Sequence, residues 1–237
     1  MSSCLSIVIP TYNERENIST LIPLIHEVAT KNNIDYEIIV VDDNSPDGTW
    51  LVAKELSKKY NVRVYVRYKE KGLASAIIYG AKRAKCENII VMDADLQHPP
   101  EKIPEINNLL KSSCDIVVAS RYTKGGGIIG WSKVRLLESV VATFLAKLFL
   151  PPARKTSDPL SGFFGVKKKL IFNPRIMPIG YKILLEILVK NPQAKVCDVP
   201  YIFRSRVKGK SKLGLKTISE YLIQLIKNII YIYLKRS

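Results

Sequence analysis

Residues 88–100, NIIVMDADLQHPP, decide the fold. The run Ile89-Ile90-Val91-Met92 is short and apolar at every position, so neither face of the strand it forms can be turned to water. Such a strand belongs inside a mostly parallel sheet covered by helices on both sides. The run stops at Asp93-Ala94-Asp95. Residues two apart in an extended segment point to the same side, which lets both carboxylates face one site. Hard oxygen ligands of this kind suit Mg²⁺ or Mn²⁺, which take one or two carboxylates plus substrate phosphates. An Asp-rich turn closing a strand is the competing explanation, and the neighbouring strand ends weigh against it.

Four more runs, mostly apolar on both faces, lie at residues 6–9, 37–41, 62–66 and 116–119, and helical patterns cover 17–31, 46–59, 73–85 and 100–111. Ser45 followed by Pro46 reads as an N-cap with proline at the first helical position. Pro23 falls inside the first helical pattern and makes it less regular. The alternation implies an α/β, doubly wound, Rossmann-like domain whose ligand sits at the carboxyl ends of the strands. Those ends are polar: Pro10-Thr11-Tyr12-Asn13-Glu14, Asp42-Asp43-Asn44-Ser45 and Ser120-Arg121-Tyr122 join Asp93-Ala94-Asp95-Leu96-Gln97-His98. Crowded carboxylates repel one another unless a cation or ligand offsets them. Turn and capping chemistry accounts for Ser45 and Asp47 but not for Asp42 closing a buried strand, so Asp42 is expected to touch a base or ribose.

Beyond Arg121 the pattern changes. Gly125-Gly126-Gly127 leads to an amphipathic helix at 131–150, closed by Pro151-Pro152. A small strand pair, 162–166 with 196–203, is expected around a helix at 180–189. A basic loop at 204–212 and a final helix at 215–234 complete the chain. The expected division is a catalytic domain over 1–215, with a nucleotide- and metal-binding half at 1–124 and an acceptor half at 125–215, then an amphipathic helix at 216–237.

The 237 residues carry 37 Lys and Arg against 21 Asp and Glu, a formal charge of +16. A balance this basic implies an anionic partner: nucleic acid, anionic lipid or a phosphorylated substrate. Cys4, Cys86, Cys114 and Cys197 lie far apart without a C-x-x-C pair, and only His26 and His98 are present, which argues against structural zinc. Reduced thiols in a cytosolic protein are the plain expectation. Neither a signal peptide nor an apolar run of roughly 20 residues is found.

Taken together, IVIPTYNERENI (7–18), IIVVDDNSPDGT (38–49), EKGLASA (70–76), VMDADLQHPP (91–100), ASRY (119–122) and DPLSGFF (158–164) resemble glycosyltransferase family two of the GT-A fold. Within it they look like the enzymes that glycosylate polyprenyl phosphates: the mannose synthases acting on dolichyl phosphate and their glucosyltransferase relatives. The resemblance implies an inverting transfer of mannose from GDP-mannose to dolichyl phosphate, or of glucose from UDP-glucose to polyprenyl phosphate. It implies that Pro10, Tyr12 and Glu14 line the nucleotide pocket with Asp42 on the base. Asp93 and Ala94 would meet the nucleotide side, and Asp95 and Gln97 would hold Mg²⁺ or Mn²⁺ on the diphosphate. Arg121, Arg135 and Ser139 would bind the acceptor phosphate, and Arg206 and Lys212 would close over the donor phosphates. It also implies a peripheral place on the cytoplasmic face of a membrane, with reliance in some relatives on a membrane-anchoring protein partner. One departure is Lys210, which stands where the family's basic loop carries a glutamate.

The acceptor chemistry agrees with the residues present. A phosphate monoester, with a second pKa of about 6, is already ionised at neutral pH and needs cationic positioning rather than a general base. Asp158 and Glu186 are the late carboxylates available as a base, and structural roles suit both. Two rival readings stand beside this one. A basic nucleic-acid-binding module would use the run Arg204, Arg206, Lys208, Lys210 and Lys212, but no nucleic-acid-binding motif accompanies it. A nucleotidyltransferase would carry a glycine-rich basic loop after its first strand, where this chain has Pro10-Thr11-Tyr12-Asn13-Glu14.

Overall fold

The computed structural model describes residues 4–172, 182–204 and 215–236. Strands β1 (Leu5–Thr11), β2 (Tyr36–Asp42), β3 (Val62–Val66), β4 (Asn88–Val91) and β5 (Ile116–Ser120) alternate with helices α1 (Arg15–Lys31), α2 (Thr49–Leu56), α3 (Leu73–Arg83) and α4 (Ile103–Ser112). After β6 (Gly127–Ile129) come α5 (Lys133–Phe149), β7 (Phe164–Lys167), α6 (Lys168–Ile171), α7 (Ile183–Lys190), β8 (Val196–Pro200), β9 (Ile202–Arg204) and α8 (Leu215–Arg236). The main sheet has seven strands in the order β3-β2-β1-β4-β7-β5-β8, and β6 with β9 forms a separate pair. All pairings are parallel except those of β7, which runs antiparallel to both β4 and β5.

Strand alternation divides the core into two layers. Ile7, Ile9, Ile38 and Val40 share one layer with Leu21 and Ile25 of α1, while Val8, Ile39 and Val41 belong to the other, which also holds Ile77 of α3 and Leu184 and Leu188 of α7. Adjacent Phe163 and Phe164 supply one ring to each layer.

Three expectations are corrected here. The strand pair 162–166 with 196–203 does not form: β7 completes the main sheet between β4 and β5, and 196–203 divides into β8 and β9. Phe164, Gly165 and Val166 are buried, and such a strand is stable only with both faces covered. Gly165 makes that possible, since a Cβ there would lie 2.5 Å from Ile106 Cγ2 of α4. Second, α2 starts at Thr49 behind Gly48, at φ 80°, instead of at Pro46. Asp47 accepts from the Thr49 N–H at 2.9 Å and Thr49 Oγ1 at 2.6 Å, while Ser45 turns back to Asp42. Helix α1, by contrast, runs unbroken through Pro23.

Third, the cysteines are paired, Cys4 with Cys86 and Cys114 with Cys197, at Cα separations of 5.4 and 6.1 Å. Sequence separations of 82 and 83 residues conceal the reason. Cys4 and Cys86 precede β1 and β4, which are parallel neighbours, and Cys114 precedes β5, the parallel neighbour of the β8 that holds Cys197. Both bridges therefore sit at the amino ends of strands, away from the polar edge.

Helix α8 rests on the domain. Tyr221 donates to the Ala142 carbonyl of α5 at 2.6 Å, and Gln224 Nε2 donates to the Lys182 carbonyl at 3.0 Å. Leu225 packs among Ala146, Leu150, Leu185 and Val189.

Thiol titration of the denatured, unreduced protein should find no free cysteine. Serine at both Cys114 and Cys197 should lower the unfolding free energy by about 4.5 kcal/mol, the chain-entropy value for a loop of this length, as read by denaturant titration.

Candidate active site

Parallel pairing brings the carboxyl ends of β1, β2 and β4 side by side. Thr11 lies in register with Asp42, and its hydroxyl donates to Asp42 Oδ2 at 2.7 Å. The backbone N–H and hydroxyl of Ser45 also donate to this carboxylate, each at 2.7 Å. Asp42 is fully buried, so its expected place against a base is corrected: three internal donors occupy it and no surface is open to a ligand. It clamps the β1 and β2 ends, and Ser45 in turn accepts from the Asn13 N–H. Asn13, at φ 59°, turns the chain. Asp43 is likewise engaged, by Arg67 Nε at 2.7 Å and the Gly72 N–H at 2.8 Å.

The expected nucleotide residues on β1 and its turn differ in access. Pro10 is buried within the strand, Tyr12 is exposed with the Lys71 ammonium 5.5 Å from its ring, and Glu14 is half-buried, accepting from Asn17 Nδ2 at 2.7 Å.

Strand β4 ends at Val91, and residues 94–96 bend around Leu96, at φ 61°. A bend, rather than the alternation of an extended strand, sets the relation of Asp93 to Asp95. The Asp93 side chain is 35% exposed. Its backbone N–H donates to His98 Nδ1 at 2.9 Å, and the His98 ring stacks on Phe163 at 5.1 Å. Ala94 is buried, and so are Asp95 and Gln97. Asp95 Oδ1 accepts the Gln97 N–H at 3.1 Å, and Gln97 Nε2 donates to the Arg204 carbonyl at 2.6 Å. Among the described residues no group of three or more His, Cys, Asp or Glu could cage a metal. One carboxylate beside one amide is instead a donor set for a Mg²⁺-like ion that keeps most of its shell for phosphates and water. Arg206 and Lys212 lie outside the described residues; the Gln97–Arg204 bond ties the start of their segment to the Asp95 turn.

Arg121, just beyond β5, is buried against Asp158. Nε and Nη2 donate to the two carboxylate oxygens at 2.7 and 2.8 Å, and the Arg121 N–H adds a third bond at 3.2 Å. Burial opposes the charge, but the bonds and charge of Asp158 outweigh it and hold the guanidinium well above its ordinary pKa. The Trp131 ring lies between two arginines, with Arg121 Cζ 5.5 Å and Arg135 Cζ 4.2 Å from its centre. Ser139, one turn after Arg135, accepts from Tyr122 Oη at 2.8 Å. Arg121, Arg135 and Ser139, expected together at an acceptor phosphate, are thus gathered by Trp131 and Tyr122. Asp158 is spent on Arg121, and Glu186 pairs with Lys190 inside α7 at 2.5 Å.

Two residues of this region are not picked out by the sequence. Lys182 donates to the Leu160 carbonyl at 3.1 Å beside the Arg121–Asp158 pair. Gly162 brings the chain so near the β4 edge that a Cβ would sit 3.1 Å from Asp93 Oδ2. Lysine before an apolar helix looks like any surface lysine, and only the packing sets this one apart.

The sequence profile described as Glycosyl transferase family 2 matches residues 6–172. The chain belongs to that family. The family-2 chain is 49% identical over 217 residues to a dolichol-phosphate mannosyltransferase of Pyrococcus furiosus, covering 92% of itself but 61% of that protein. To the dolichol-phosphate mannosyltransferase of Saccharomyces cerevisiae it is 40% identical, over 95% of itself and 86% of that protein. Its fold matches glucosyl-3-phosphoglycerate synthase from Mycobacterium tuberculosis, solved with Mn²⁺, uridine-diphosphate and glucosyl-3-phosphoglycerate. The TM-score is 0.71 at 19% identity, over 96% of this chain and 79% of that one. This likeness establishes the GT-A fold: a mostly parallel mixed sheet with helices on both faces.

Asp158→Ala should cost about 3–5 kcal/mol of stability, because it leaves a buried guanidinium without its counter-charge. Chemical denaturation checks this, and a loss under about 1 kcal/mol would mean that water reaches Arg121.

Proposed function

We propose that this family-2 glycosyltransferase moves mannose from GDP-mannose to dolichyl, or another polyprenyl, phosphate with inversion at the anomeric carbon. The observation that carries the reading is that Arg121, just beyond β5, shares Trp131 with Arg135 of α5, and that Arg135 and Ser139 lie in the first half of a helix with an apolar exposed face. Val134, Leu137, Val140, Val141, Phe144 and Leu148 of α5 are all exposed. Cations beside an unpartnered greasy surface suit a phosphate carried on a hydrocarbon tail. The relatives named as dolichol-phosphate mannosyltransferases support the same substrate class.

In this reading Tyr12, Glu14 and Asp93 border the nucleotide, with Pro10 and Ala94 shaping the edge from beneath. Asp95 and Gln97 would hold Mg²⁺ or Mn²⁺, which when bound offsets the negative charge growing on the departing diphosphate. Arg206 and Lys212 would add positive charge on the same side. The acceptor phosphate needs no base, in keeping with Asp158 and Glu186 both being held in ion pairs. Asp158 fixes the fork of Arg121, and Trp131 backs the plane of Arg135, so the phosphate meets cations already oriented.

A polyprenyl tail stays in the bilayer because each buried CH₂ contributes about 0.8 kcal/mol, so the enzyme must come to the cytoplasmic membrane surface. No helix among the described residues is long and apolar enough to cross a membrane. Helix α8 exposes Leu222, Ile226, Ile230 and Tyr233, and with α5 it offers an interfacial surface. The charge of +16 adds attraction to anionic lipid, and a membrane-anchoring protein is the partner that this surface would also accept.

Radiolabel from GDP-mannose should enter the organic phase with dolichyl phosphate, vanish with a chelator and return with Mg²⁺ or Mn²⁺. Asp95→Ala should lower kcat roughly a hundredfold or more, since metal stabilisation is worth several kcal/mol. Label transferred from UDP-glucose alone would replace the mannose donor, and turnover indifferent to chelation would remove the metal. For the membrane surface, Leu137→Glu with Phe144→Glu should abolish co-sedimentation with anionic liposomes at low salt while leaving GDP affinity unchanged. Undiminished sedimentation would move the lipid contact elsewhere.

A further inference from the structure

We propose that Lys182 is a third cation of the acceptor-phosphate site, donating a hydrogen bond to the lipid phosphate alongside Arg121 and Arg135. The inference rests on the acceptor reading above and assigns that site a residue beyond the two arginines and Ser139. Lys182 immediately precedes α7, and its ammonium donates to the Leu160 carbonyl at 3.1 Å. Leu160 lies two residues after Asp158, the carboxylate that grips Arg121. One short segment, 158–160, therefore holds both cations in place.

The charges around Lys182 leave it short of negative partners. Arg121 and Arg135 oppose its charge, and Asp158 and Asp93 favour it. Asp158 is already spent on Arg121, and among the described residues no carboxylate forms an ion pair with Lys182. Burial, followed by the charge of Arg121, pushes the ammonium down to about 8. Lys182 is half-buried, and among the described residues its ammonium is bonded to a neutral carbonyl; of its three N–H donors two remain that a phosphate dianion would meet together with the surplus charge. The residue is also positioned from the proposed lipid side. Its carbonyl accepts from Gln224 Nε2 of α8 at 3.0 Å, and α8 turns Leu222 and Ile226 outward. Lys182 thus stands between the helix that would meet the bilayer and the arginine pair that would receive the headgroup.

The test uses the full chain and farnesyl phosphate, an isoprenyl phosphate short enough to titrate in solution. By calorimetry, Lys182→Gln should weaken farnesyl phosphate binding about tenfold or more, the usual weight of a hydrogen bond to a charged group. GDP affinity should stay within twofold, roughly the experimental error on such a constant, and Lys182→Arg should recover part of the loss. In the wild type, farnesyl phosphate should protect Lys182 from reductive methylation mapped by mass spectrometry, a readout that survives if a variant folds poorly. Unchanged farnesyl phosphate affinity in a folded Lys182→Gln protein would overturn the assignment. So would protection by GDP alone, which would place Lys182 on the donor diphosphate. Wild-type protein that binds GDP but not farnesyl phosphate would overturn the acceptor reading itself, and this proposal with it.

Discussion

Burying Arg121 among Trp131, Tyr122 and Phe203 is tolerable only because Asp158 meets it with two parallel hydrogen bonds. A fully desolvated guanidinium without such a partner would destabilise the fold by several kcal/mol. Around this pair the rest of the region is arranged. The loop that carries Asp158 passes Leu160 to Lys182 and Gly162 to the Asp93 edge, then enters the sheet as β7. Tyr122, next to Arg121 beyond the end of β5, reaches Ser139 on α5. The pair thereby links the sheet, the exposed helix and the start of α7.

The two ends of the site rest on different physics. At the β1, β2 and β4 edge, carboxylates are held close by hydrogen bonds from Ser45, Thr11, Gln97 and Gly72, and repulsion is kept down by internal donors. At the α5 edge the surplus is positive and the walls are aromatic. The proposed donor, arriving with a cation, and the proposed acceptor, a bare phosphate, would each meet the opposite charge. Neither end needs a proton-transfer residue, and the carboxylates best placed by the sequence to act as one are engaged elsewhere.

Much of this was readable before any coordinates. The runs at 6–9, 37–41, 62–66, 88–92 and 116–119 became strands because their mostly apolar faces suit a sheet covered on both sides. Arg135 and Ser139 lie on one side of α5 because their spacing is one helical turn. What escaped the sequence has a common cause: it depends on neighbours far away along the chain. Asp42 looked like a ligand because its buried strand end was visible, while the Thr11 hydroxyl that occupies it lies 31 residues earlier. The segment 162–166 suggests a pair with 196–203, when it is Gly165 against α4 that fits β7 between β4 and β5. Lys182 and the cysteine pairs escaped for the same reason.

The two disulfides turn the chain into a pair of covalent rings joined by a tether. One ring, closed at Cys4 and Cys86, contains Tyr12, Glu14, Asp42 and Asp43; the other, closed at Cys114 and Cys197, contains Arg121, Arg135, Asp158 and Lys182. Asp93, Asp95, Gln97 and His98 belong to neither ring, since they lie on the 27 residues between Cys86 and Cys114. A protease cut inside either ring leaves the severed ends bonded to each other, so the molecule survives as one covalent piece. A cut in the tether separates the two rings entirely, and it falls on the segment that holds Asp93, Asp95 and Gln97.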